Sequence, residues 1–128
     1  MIYDEQVPPN VSVVETPFFS DKTVQVESVN LTDAGLSISV TSQHWTAVVR
    51  FEQTYGLRVL DELDLTEFWS QCSLTSGWFF EVKTGGWKAL ELTRSHFLSG
   101  RHEWVKEYLV VGRNECVSVL TKEHPSIT

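Results

Sequence analysis

The densest group of chemically capable side chains is acidic: Asp61, Glu62, Asp64 and Glu67 crowd into one short stretch. Paired carboxylates do acid–base work on glycosides, and clustered ones bind divalent cations. Two of the four have a structural reason to be where they are. Asp64 is placed to cap a helix with Glu67 at its third position, a capping-box-like start that the helix dipole favours. Asp61 and Glu62 have no such reason. No second acidic motif of matching character accompanies them. The cluster is therefore read as a capping or solvated turn, or as a protein-binding surface, ahead of catalysis or metal binding.

The other candidates for chemistry are sparse. None of His44, His96, His102 and His124 forms an i, i+4 pair that would put two imidazoles on one side of a helix. Cys72 and Cys116 fit no metal or redox spacing. Both lie among apolar residues, where a thiol is raised in pKa and inert; they are expected to be reduced and packed, with a single disulfide as the alternative. No G-x-S-x-G elbow holds a nucleophile. Gly85-Gly86 lacks the third spaced glycine of a phosphate loop, and Trp87 stands where a helix would open. The expectation is a protein without catalytic residues, metal or cofactor.

Length and composition set the frame for these residues. The chain of 128 residues is read as one domain, with residues 1–20 an extended N-terminal arm and residues 21–128 the core. At 41% hydrophobic and 21% charged residues it is too apolar for disorder. A net charge of −7 opposes binding to nucleic acid or anionic lipid and favours a basic partner. The first residues lack the basic start and apolar run of a signal peptide, so a cytoplasmic location is expected. The five tryptophans are read as core anchors, with an exposed ligand platform as the other use.

The elements follow from periodicity. Pro8, Pro9 and Pro17 argue against regular structure in the arm. Val24 and Val26 alternate with polar neighbours, then the phase slips to Val29 and Leu31, which predicts a bulge. A turn at residues 32–35 leads into Leu36, Ile38 and Val40, a strand with one wet face. Residues 45–51 form a third strand, broken at Tyr55-Gly56, and residues 57–60 a short fourth. Leu65, Phe68, Trp69 and Cys72 then make one stripe of a short helix. In residues 77–87, Trp78, Phe80 and Val82 alternate with Phe79, Glu81 and Lys83 as in a half-buried strand, and the Gly pair turns the chain so that Trp87 folds back. Residues 88–100 lean toward a short helix. Residues 105–111 and 116–120 make a hairpin around a turn at 112–115. The fold class expected is α+β: a mostly antiparallel β-sheet with one or two short helices packed on one face.

The string Arg58-Val59-Leu60-Asp61-Glu62, followed by Asp64-Leu65, Phe68-Trp69, Gly77-Trp78, Phe80-Glu81-Val82, Gly85-Gly86-Trp87, Glu107-Tyr108-Leu109-Val110 and Cys116-Val117-Ser118-Val119-Leu120, resembles a group of small uncharacterised bacterial proteins. That resemblance covers roughly the last two-thirds of the chain and brings no catalytic residues with it. In size, charge and style the chain is also similar to the immunity proteins of bacterial toxin–immunity pairs. This similarity implies a protein that acts by binding a protein partner, a basic one by charge, with the acidic cluster as the contact. The alternatives are a small-molecule-binding domain with an aromatic-lined pocket between sheet and helices, and an enzyme with a dispersed site.

Overall fold

The computed structural model describes residues 9–61, 73–93 and 104–128. Nine strands and one short helix occur among them: β1 (Asn10–Val13), β2 (Gln25–Thr32), β3 (Gly35–Thr41), β4 (Thr46–Phe51), β5 (Thr54–Asp61), β6 (Phe79–Thr84), α1 (Trp87–Glu91), β7 (Lys106–Val111), β8 (Glu115–Thr121) and β9 (Ser126–Ile127). They build two antiparallel sheets, ordered β1-β6-β7-β8-β5 and β2-β3-β4-β9. The antiparallel sheet is as expected. The helix expected from Asp64 to Cys72 lies outside the described residues, and α1 is a helix of five residues, so the described part is β with little helix.

The four-stranded sheet has one dry face. Leu36, Ile38 and Val40 of β3 and Ala47, Val49 and Phe51 of β4 are buried, alternating with Ser37, Ser39, Val48 and Arg50. Burying each large apolar side chain contributes roughly 1.5–3 kcal/mol. The bulge in β2 is where the phase slip put it, between Val26 and Ser28.

The five-stranded sheet is buried on both faces. Leu109 joins Phe80 and Cys116 on one face, while Tyr108 and Val110 join Phe79, Val117 and the four-stranded sheet on the other. This corrects the half-buried reading of β6, because Phe79 is as deeply buried as Phe80. A strand with apolar residues on both faces has no alternation to read.

Three boundaries differ from expectation. Tyr55-Gly56 does not break the chain: β5 runs through it, with a register shift between Thr54 and Gly56. A Cβ at Gly56 would stand 3.1 Å from the Trp87 ring, so the glycine makes room for that side chain over the strand. The arm contributes a strand, β1, paired with β6, and the tail adds β9 to β4. Past β1 the chain has no regular structure up to Ser20 and crosses the end of the sandwich. There Trp78 Nε1 donates to the Phe18 carbonyl at 2.8 Å and Trp45 Nε1 to that of Phe19 at 2.7 Å. Among the described residues, no helix is long and apolar enough to cross a membrane.

Candidate functional site

Of the acidic cluster, Glu62, Asp64 and Glu67 lie outside the described residues. Asp61 ends β5, exposed, and its antiparallel register partner is Glu115 at the start of β8. Like charges opposite each other on a ladder are unfavourable to the fold. Glu115 was not foreseen as part of this group, since only strand register brings it there.

Glu107 is the acid that the sequence hid. It is 2% exposed, and its two carboxylate oxygens accept hydrogen bonds from the backbone N–H groups of Trp87 (2.9 Å) and Lys88 (2.8 Å) at the start of α1. Burial pushes its pKa up, against the opposing pull of those two N–H groups and of the Arg58 and Lys88 charges. A helix opens at Trp87, one residue ahead of the stretch that leans toward a short helix, and a carboxylate from β7 occupies its end. Gly86 is required there: a Cβ would stand 2.6 Å from Val82 and 2.7 Å from Glu107. The adjacent cleft is small, about 230 Å³, and open, with Val82, Gly86, Lys88, Leu92 and Glu107 among its walls. Lys88 Nζ is spent on the Val105 carbonyl at 2.7 Å, and the Arg58 guanidinium sits 5.0 Å above the Trp87 ring. These groups clamp α1 to the sheet.

The remaining polar candidates separate. His124 bonds the Tyr108 hydroxyl at 2.9 Å, and burial pushes that phenol up to about 12. His44 is exposed beside Phe19, while His96, His102 and Cys72 lie outside the described residues. Cys116 is buried. Among the described residues, no group of three His, Cys, Asp or Glu side chains is arranged to hold a metal ion.

Trp45, Trp78 and Trp87 pack in or against the core as anchors, whereas Trp104 is 49% exposed and Trp69 lies outside the described residues. Phe18, Trp45, Trp78, Phe79 and Tyr108 form a continuous run of ring contacts at centroid distances of 5.3 to 5.7 Å. The shallow cleft beside Phe18 and Trp78 measures about 280 Å³, below the roughly 300–1,000 Å³ typical of ligand pockets.

A different surface lies on the opposite side of the sandwich. The β7–β8 turn holds β2 through Arg113 N–H to the Val24 carbonyl (2.8 Å), and Thr121 Oγ1 bonds the Gln53 carbonyl just before β5. The first of these ties and the contacts between β2 and β8 set β2 over the β8–β5 side, with β2 and β5 running in opposite directions. Val29 and Leu31 are in register with buried Ile38 and Leu36, so they point inward; Val59 is in register with buried Val117. Yet Leu31 is 61% exposed, Val59 41% and Tyr55 39%. Twist splays the corners of stacked sheets, and here the inward face of each outer strand is only partly covered: Val29 and Leu57 pack against the core, while Leu31 and Val59 stay wet. Asp61 and Glu115 stand at one end of this opening. Asp33 and Glu52 stand at the other, where the β2–β3 turn abuts the end of β4, as Gly35 has no room for a Cβ beside the Phe51 carbonyl.

No protein-family model, curated protein or solved structure matches the chain. What the molecule does must be read from its own surfaces.

Proposed function

We propose that this is a protein-binding domain, without a reaction of its own, whose working surface is the open β2–β5 side. In this reading it is an immunity-type inhibitor that covers a basic region of a toxin. One observation carries it: Leu31 and Val59 are exposed although their register faces them into the sandwich. Single exposed apolar residues are ordinary, but a row of them rimmed by polar groups is the composition of an interface. The rim here carries carboxylates at both ends, Asp61 and Glu115 opposite Asp33 and Glu52. Together with the net charge of −7, that points to a partner with Lys and Arg around an apolar centre.

The test uses the purified product of the neighbouring gene, since inhibitors of this kind are encoded beside their targets. It should bind tightly, and Asp61→Lys with Glu115→Lys should slow its capture at low salt by about tenfold or more, an effect that fades as salt rises. The double variant should melt close to the parent. A neighbour that does not bind, or is captured equally fast by the variant at low salt, would sink the proposal.

A further inference from the structure

We infer that the partner contributes an extended segment, which adds to β2 as a short extra strand at Val29 and Leu31. This rests on the protein-binding reading above and specifies how the open side is used. The outer edge of β2 is finished over only half its length. The Val26 N–H donates to Asn114 Oδ1 and the Val26 carbonyl accepts from Asn114 Nδ2, both at 3.0 Å, so the side-chain amide stands in for the peptide group of a missing neighbour. With the Arg113–Val24 bond, this shows that the main-chain groups of Val24 and Val26 point away from β3.

The bulge between Val26 and Ser28 then shifts the phase by one residue. In an antiparallel ladder the outward-pointing groups alternate, so beyond the bulge they belong to Val29 and Leu31. Among the described residues nothing bonds them. Each therefore offers an outward N–H and C=O on its edge; the Val29 side chain packs partly against the core, while that of Leu31 stays exposed. Strand addition uses that combination: main-chain bonds give affinity and alternate side chains give selectivity.

The chemistry of the occupant follows from what surrounds the edge. An added strand would direct every second side chain toward Leu31 and Val59, which selects apolar residues at those positions. Its ends would meet Asp33 and Glu52 on one side and Asp61 and Glu115 on the other, which selects Lys or Arg. Arg113, a cation near that second end, bonds Gln25 Oε1 at 3.1 and 3.2 Å. A second copy of this chain fits poorly, because each copy carries −7. The segment is a basic-ended, alternately apolar strand from another protein.

A short fluorescent peptide of alternating valine and lysine is the probe, with its valine–glutamate counterpart as control. The parent protein should bind the first at low salt and not the second. Leu31→Pro removes the outward N–H while leaving the β3 ladder whole, since that amide takes no part in it, and proline is accepted at such edge positions. It should weaken binding about tenfold or more, whereas Leu31→Ala, which keeps the donor, should weaken it less. In the parent, hydrogen exchange at the Val29 and Leu31 amides should be fast and should slow when the peptide is added. If Leu31→Pro folds poorly, that exchange measurement decides alone. Equal binding by Leu31→Pro, no protection of the two amides, or no binding of the valine–lysine peptide would each overturn strand addition. None of these touches the broader reading, which stands or falls on binding of the intact neighbour.

Discussion

The two sides of this sandwich are finished in opposite ways. On the β1 side the N-terminal arm closes the end: two indole N–H groups hold its carbonyls, and Ser20 Oγ reaches the Leu74 carbonyl at 2.7 Å. On the β2–β5 side one asparagine finishes half an edge, and inward-pointing apolar residues stay wet. The chain spends three aromatic rings, Phe18, Trp45 and Trp78, on the end that the arm crosses, although Phe19 and Val13 remain exposed there; at β2–β5 no such ring run covers Leu31 and Val59 among the described residues. Among the described residues, the contrast is between an end tied by side-chain hydrogen bonds and an edge tied over half its length.

The closed side should be the costlier to disturb. Trp78→Ala removes a buried ring lying between Trp45 and Phe79 and deprives the Phe18 carbonyl of its donor. A loss of about 3–5 kcal/mol is expected, enough to threaten a domain of ordinary stability. Chemical denaturation measures it, and a midpoint near that of the parent would mean that the aromatic run does not hold the fold.

A second site of closure lies on the far face of the five-stranded sheet, where α1 is clamped by Glu107. Gly86→Ala should cost about 1–3 kcal/mol, because its methyl would press on Val82 and both Glu107 oxygens inside a packed seam. Asn114→Ala should cost slightly less, about 1–2 kcal/mol, by stripping both bonds from Val26. It also sharpens the contrast between the sides, since it would extend the open edge of β2 back toward Val24. Faster amide exchange at Val26 with no change at Phe80 would locate the effect on that edge.

Much of this architecture is legible in the sequence, and what is not has physical reasons. The β2 bulge, the β3 alternation and the β7–β8 hairpin were all readable, because one-faced or locally paired strands write their period into the chain. β1 and β9 were not, being short edge strands whose partners, β6 and β4, are distant in sequence. Gly56 reads as a breaker, whereas its lack of a side chain serves Trp87 on the neighbouring face. Glu107 looks like a surface charge beside Lys106. The available signal was its position at the head of the unbroken apolar run Tyr108-Leu109-Val110-Val111. Asp61 reads from the sequence as an acid at a strand end, whereas its pairing with Glu115 and the Leu31–Val59 opening exist only through register.

Glu107 also makes the clamp sensitive to pH. Its pKa is raised in the folded chain, so the protonated form favours folding. Stability from this group is present below the ordinary glutamate range and is lost as pH rises through the elevated folded value. Denaturation midpoints measured across that window should fall for the parent relative to Glu107→Gln, which cannot titrate. The slope of the difference is the readout, since the amide also alters the bonds to Trp87 and Lys88. A flat difference would show that the carboxylate is as well solvated by its N–H donors as by water.

The smallest expected effect bears most directly on the contrast between the sides. Leu31→Thr and Val59→Thr each replace an exposed apolar side chain with a polar one that keeps strand propensity. If the open side is a surface held ready for a partner, its apolar residues contribute little to the isolated fold. Each substitution should then change stability by no more than about 0.5 kcal/mol, the range of surface positions away from special features. Partner binding should weaken in both, because apolar area at the centre of an interface is what such a site offers. A loss of stability comparable to that of Gly86→Ala would mean that Leu31 and Val59 pack together as part of the core, and the two sides would then differ in shape but not in purpose.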